Sequence, residues 1–269
     1  MIYIIGHSDS FVYVSNNNYK YLNTRLVYTV NNDDIILKMD KYINEFVAQY
    51  CIAKYGRPED YIGFCQYRRI IDKYIINSKE IIENNKTQIF TCTYNIYKNF
   101  LEKAIKEKAT YELIYAYLYE YGAISVYNDF VEFMESQPID IQQQIKEHSK
   151  IKKIENITTE NNILYICGRE IYVTNWNTFQ SLVNFIESFI RHILRKYNIN
   201  TIEEFSVFMD DNIYEIVDME KICDKFTWFT TKENHKRIYG IAIEFLIGIY
   251  LYSTTSTFYT KLYPFYWLS

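Results

Sequence analysis

The spacing of apolar residues changes several times along this chain, and each change predicts a change of element. Ile2, Tyr3, Ile4 and Ile5 are consecutive and run into Gly6, the pattern of a short buried strand. Residues 11–14 and 25–30 are further strand candidates, parted by the turn-prone Asn16, Asn17 and Asn18. From Met39 the period becomes helical. Met39, Tyr42, Ile43, Phe46, Val47, Tyr50 and Cys51 recur at i, i+3 and i+4, which predicts one amphipathic helix over 40–54. Arg57, Pro58, Glu59 and Asp60 break it. Residues 61–66 and 87–93 read as strands, and 95–149 as three or four helices rich in Tyr and Leu. A polar, loop-like stretch at 150–162 is followed by a predicted strand pair at 163–167 and 170–174. Phe179, Leu182, Val183, Ile186, Ile190 and Ile193 share one face of a long helix over 176–196. Residues 200–232 are mixed, 234–252 are helical, and 256–268 are aromatic and extended.

Strands interleaved with helices predict an α/β fold. No repeat or linker marks a boundary, so the expectation is a single domain over 1–269 with a helical insertion at 95–149. Hydrophobic residues at 49% exclude a largely disordered chain. Seven glycines and three prolines are too few for a sandwich built on tight turns. The net charge of −4 argues against a nucleic-acid partner. Five cysteines, odd in number and without a C-x-x-C pair, read as free thiols of a reducing, cytoplasmic compartment. The four histidines are scattered, so no structural zinc site is expected. The N-terminus lacks a basic leader and a cleavage site, which predicts no signal peptide. The longest apolar stretch, Ile238 to Tyr252, is short for a membrane span and contains Glu244, so it reads as a core helix.

Two places could carry chemistry. The strand at 61–66 runs straight into Tyr67, Arg68 and Arg69. Ligands of open α/β sheets bind beyond the carboxyl ends of the strands, and arginine there suits a phosphate or carboxylate. The same pattern fits two surface arginines at a strand end. Glu244 is the second place. Positions 240, 241, 247 and 248 share its helix face and none can pair with it. An unpaired buried carboxylate is costly. Glu244 therefore either pairs with a distant cation, Arg237 or Arg68, or faces a polar cleft where it could serve as a general base.

The stretch from Tyr42 to Arg69, Y-I-N-E-F-V-A-Q-Y-C-I-A-K-Y-G-R-P-E-D-Y-I-G-F-C-Q-Y-R-R, resembles the signature of a domain-of-unknown-function family of glycosyltransferases from bacterial capsule and lipopolysaccharide clusters. That signature reads approximately E-x-T-A-x-Y-W-x-W-K-N, a short gap, then D-Y-I-G-L-x-H-Y-R-R. Glu45, Tyr50, Lys54, Asp60, Tyr61, Ile62, Gly63, Tyr67, Arg68 and Arg69 match it. Residues 169–173 lie where the family has C-N-M-F-I, and Arg237 to Glu244 where it has R-x-x-G-[FY]-L-A-E. The chain departs from the pattern at Gln66, which replaces a histidine, at Cys51 and Ala53, which replace tryptophans, and at Glu170, which replaces an asparagine.

The resemblance implies a GT-A-like, Rossmann-like domain with a mostly parallel central sheet. It implies transfer of a sugar from a nucleotide-sugar, UDP-linked, to a hydroxyl of a glycan or lipid-linked glycan acceptor in polysaccharide biosynthesis. Many such enzymes hold a divalent metal, Mn²⁺ or Mg²⁺, on a D-x-D at a strand end. The comparable strand here ends in Gln66, Tyr67, Arg68 and Arg69 without a carboxylate, so no metal ligands are assigned and the arginines are expected to neutralise the diphosphate. Asp72 and the pair Asp210–Asp211 read as solvated acids, the pair at a helix end. Glu244, Arg68 and Arg69 are then the catalytic candidates. His7, Ser8, Gln66 and Tyr67 are candidates for the donor, with an ordinary βα loop as the other reading of His7 and Ser8. Glu45, Glu170 and Arg237 are candidates for the acceptor side or for supporting positions. For Glu45 the other reading is a solvated glutamate turned away from Ile43 and Val47, and Glu170 is an alternative base. The basic run from Arg191 to Lys196 reads as the solvated face of its helix, or as a peripheral membrane contact. A catalytically inactive relative that binds a nucleotide or glycan, and an interaction protein, are the rival readings.

Overall fold

The computed structural model describes residues 1–6, 19–23, 33–66, 71, 73–95, 98–150, 163–166, 171–218, 229 and 231–261. The first half of the chain gives β1 (Ile2–Gly6), β2 (Tyr19–Asn23), a 3-10 turn at Ile35–Lys38, α1 (Asp40–Ile43), α2 (Phe46–Tyr55), β3 (Ile62–Gln66), α3 (Ser78–Ile82) and β4 (Thr87–Asn95). Four helices follow: α4 (Lys98–Lys106), α5 (Glu112–Glu120), α6 (Ile124–Glu135) and α7 (Ile139–Ser149). The rest comprises β5 (Ile163–Ile166), β6 (Tyr172–Thr174), α8 (Trp176–Lys196), α9 (Ile202–Ile216), α10 (Lys232–His235), α11 (Ile238–Thr254) and β7 (Thr257–Lys261).

β1 lies between β2 and β3 and is parallel to both, with Ile5 opposite Gln66. β6 joins β3 to β4 and is antiparallel to each. β4 also pairs with β7 in parallel, Thr87 opposite Thr257, and with β5 in antiparallel. Thus β1, β2, β3, β4 and β7 point one way and β5 and β6 the other, a mostly parallel sheet flanked by helices. The expected pairing of 163–167 with 170–174 is corrected. β5 meets Cys92–Asn95 and β6 meets Gln88–Ile89, so the two segments run along successive parts of β4. Strand candidates 11–14 and 25–30, and most of 150–162, lie outside the described residues, whereas β2 falls where no strand was expected.

The helix expected over 40–54 is two helices. The chain turns at Asn44, whose φ of 53° and ψ of −135° fit no helix. α2 is not amphipathic: Phe46, Val47, Ala48, Gln49, Tyr50 and Ile52 are all buried, because α1, α8, α11 and the 3-10 turn pack around it. Two hydrogen bonds fix its direction. Tyr172, opposite Phe64, donates to Gln49 (2.6 Å). Gln180, in the second turn of α8, donates to the Ala53 carbonyl (2.7 Å), and α8 begins just after Thr174, the partner of Ile62. The C-terminal end of α2 is therefore at the Ile62 end of β3. One turn back from Gln49 brings Asn44 and Glu45 level with Gln66, at the edge where β1 and β3 end.

α11 is apolar on all faces and buried from Ile238 to Ile243 and from Phe245 to Leu251. Its 17 residues make it about 25 Å long. Among the described residues no helix is long and apolar enough to cross a membrane. The helices between β4 and β5 share its core. Tyr117 of α5 stacks on Phe245 at 4.1 Å, and Phe133 of α6 meets Phe185 of α8 edge-on at 5.4 Å.

Candidate functional site

The strand ends Gly6 and Gln66 are neighbours across a parallel pair, so whatever follows each of them leaves the sheet at one edge. His7, Ser8, Tyr67, Arg68 and Arg69 are the residues that follow, and they lie outside the described residues, as does Glu170. Gln66 itself is half-buried at the end of β3. At the same edge Glu45 is only 5% exposed, which overturns the solvated reading. It escapes the predicted geometry because the break at Asn44 ends the helical register that would have turned it outward.

Asn44 is the centre of the arrangement. Its Nδ2 donates to Glu244 Oε1 (3.3 Å), and its Oδ1 accepts from Arg237 Nε (2.8 Å). Glu244 and Arg237 are thus brought together through an amide that stands between them. Asn44 and Arg237 also line an open cleft of about 830 Å³. Lys38 from the turn before α1, Lys41 from α1 itself, and Glu203 and Glu233 from α9 and α10, line it too. Its wall carries donors and acceptors of both signs, which suits a polyhydroxylated or charged ligand better than an apolar one. The sequence reading assigned no role to Asn44, although it stands inside the signature stretch. An asparagine interrupting a helical apolar run was the available signal, since Asn tolerates positive φ.

Two polar networks hold the elements that present these groups. Asp34 caps the 3-10 turn that leads to Lys38, accepting from the Ile36 amide. It also accepts from Tyr50 (2.5 Å) and Arg191 (3.2 Å). Glu187 in turn pairs with Arg191 and Lys54, each at 2.8 Å. Burial, aided by the bond to Asp34 and by the surrounding carboxylates, raises the Tyr50 phenol far above its ordinary pKa, so it remains a donor. Lys54 thus ties α2 to α8, far from Glu45. In the second network, fully buried Asp129 accepts from Lys196 (2.8 Å), Tyr197 (2.9 Å) and Tyr239 (2.9 Å). It anchors α11 one residue before Gly240. Arg191 and Lys196 are therefore engaged in ion pairs, on a helix face where Arg195 and Lys196 remain exposed. Asp210 lies in the middle of α9 and not at a helix end, and binds Lys232 and Lys236. Among the described residues no group of three or more His, Cys, Asp or Glu is placed to hold a metal ion.

A search of solved structures finds the same architecture in a protein described as the WbbM bifunctional glycosyltransferase in its apo form. The match has a TM-score of 0.52 and covers 97% of this chain. The fold is GT-A-like. Sequence identity in that match is 16%, and this chain spans 44% of the length of the matched one, so the likeness concerns the fold. No family model and no curated protein matches the chain. Asn44, Glu45 and Gln66 stand at the edge of this sheet where β1 and β3 end.

Proposed function

We propose that this chain is a glycosyltransferase that moves a sugar from a nucleotide-sugar, UDP-linked, to a hydroxyl of a glycan acceptor. The observation that supports the reading is the hydrogen bond that ties Glu244, through Asn44, to the wall of an open polar cleft in a GT-A-like fold. In this reading His7, Ser8, Gln66 and Tyr67 contact the donor, and Glu45, Glu170 and Arg237 serve the acceptor side. Glu244 removes the proton of the acceptor hydroxyl as its oxygen bonds to the anomeric carbon. The bond from that carbon to the diphosphate oxygen breaks, and the electron pair leaves on the nucleoside diphosphate. Arg68 and Arg69 neutralise that charge by direct contact, the work a metal does in many related folds. Attack opposite the leaving group inverts the configuration.

One observation favours a second reading, a catalytically inactive relative that binds nucleotide or glycan: the Arg237–Asn44–Glu244 chain could be purely structural. The test is thermal stabilisation by a panel of nucleotides and nucleotide-sugars, with and without Mn²⁺, followed by turnover. Saturation at about 100 times the dissociation constant adds about 2.7 kcal/mol. One nucleotide-sugar is expected to stabilise the protein without metal and to lose this effect in Arg68→Ala. A strict Mn²⁺ or Mg²⁺ requirement overturns the arginine mechanism. Binding without transfer or donor hydrolysis selects the second reading, and no binding at all rejects both.

A further inference from the structure

Arg237, Gly240 and Glu244 follow one stripe of α11 at i, i+3 and i+7, with the outer two roughly 10 Å apart along the axis. Gly240 opens a notch between them. A Cβ there would come within 2.4 Å of Asn44 Nδ2, 2.7 Å of Asn44 Cγ and 2.8 Å of the Tyr42 carbonyl oxygen. The Asn44 amide fills that notch. Its surroundings fix its orientation, because a guanidinium only donates and a carboxylate only accepts. An amide is the small side chain that presents an oxygen to Arg237 and a donor to Glu244 at once. Aspartate would set two carboxylates against each other, and an apolar residue would break both of these bonds.

The backbone supplies an independent observation. The φ of 53° and ψ of −135° at Asn44 suit glycine and strain any other residue. The chain reversal between α1 and α2 would be easier with glycine. Asn44 is nonetheless 1% exposed, and its amide makes both of the bonds described above.

We propose that Asn44 is a positioning residue, seated in the Gly240 notch, whose amide fixes the Glu244 carboxylate and couples it to Arg237 on the wall of the cleft. The stripe R-x-x-G-x-x-x-E then acts as a socket for an amide from the turn before α2. The inference rests on the reading of Glu244 as the base. It accounts for the glycine as well as the two charged residues of that stripe.

A double-mutant cycle tests it, using wild type, Asn44→Gly, Glu244→Ala and the double variant, each with two readouts. The first is the urea unfolding midpoint. The bridge predicts a non-additive cycle, whether or not the protein turns over, and additive changes overturn it. The second is release of nucleoside diphosphate from the nucleotide-sugar found in the stabilisation panel. Asn44→Gly relieves the backbone strain, yet it should lower kcat about a hundredfold with donor KM unchanged. It should cost nothing further in Glu244→Ala. Wild-type kcat in Asn44→Gly, or losses that multiply in the double variant, overturn the positioning role. Absence of turnover in the wild type with every nucleotide-sugar instead rejects the proposed function, and the positioning role with it.

Discussion

Glu244 illustrates how far single residues were legible. Its own helix offers no partner, and the sequence says so: the neighbours one turn away are Gly240, Ile241, Ile247 and Gly248. Among the described residues Asn44, 200 positions earlier, is a partner, which no local pattern could supply. Glu45 was misjudged for a related reason, since its direction was inferred from a helix that the Asn44 turn interrupts. The chemistry attached to Glu244 predicts a separation of effects. Glu244→Gln keeps an oxygen that can accept from Asn44 but cannot take a proton. Transfer should fall by at least about a hundredfold while the donor dissociation constant and the melting temperature stay at wild-type values. Isothermal titration with the donor and a coupled diphosphate-release assay measure the two sides. Retained turnover would remove Glu244 from the chemistry.

Elements were more legible than their partners. β1, β3, β4 and α8 stand where the apolar spacing put them, because that spacing is a local property. α9 carries a sequence signal in Thr201 and Glu204, which form a reciprocal capping box. What the pattern could not give was which strands meet, since register is decided between distant segments. The same holds for the support of α11. Asp129 on α6 receives three donors from α8, the residue after it and α11, and a sequence shows only an acid in a helix. Asp129→Ala would take away the buried acceptor that Tyr197 and Tyr239 share, while Lys196 keeps Glu132. It should destabilise the protein by about 3 kcal/mol, read as a lower urea midpoint at unchanged slope. A shift under about 0.5 kcal/mol would mean that the network is not holding α11 in place.

For the whole molecule, fold class was legible through a combination of composition, alternating elements and the signature stretch, and the match in architecture agrees with it. pH offers a test at this scale. His235 is buried beside Phe229, and burial lowers its pKa from the ordinary 6.5. The unfolded chain therefore binds this proton more readily than the folded one. Its contribution is intact above about pH 6.5 and is lost as the pH falls below that value, at no more than about 1.4 kcal/mol per pH unit. Melting temperature measured from pH 7.5 down to 5 should fall less steeply in His235→Gln than in the wild type. Parallel curves would show that His235 does not contribute to the acid sensitivity.

The pairing of Thr87 with Thr257 bears on how the molecule is made. β4 leaves the ribosome well before β7, which covers one of its edges. While the chain is being synthesised, the backbone donors and acceptors along that edge have no strand to meet, and an open edge recruits other chains. Protection falls in the meantime to the helices emerging between the two strands. The long helical stretch after β4 can then be understood as cover for a sheet edge that closes only once β7 has been made.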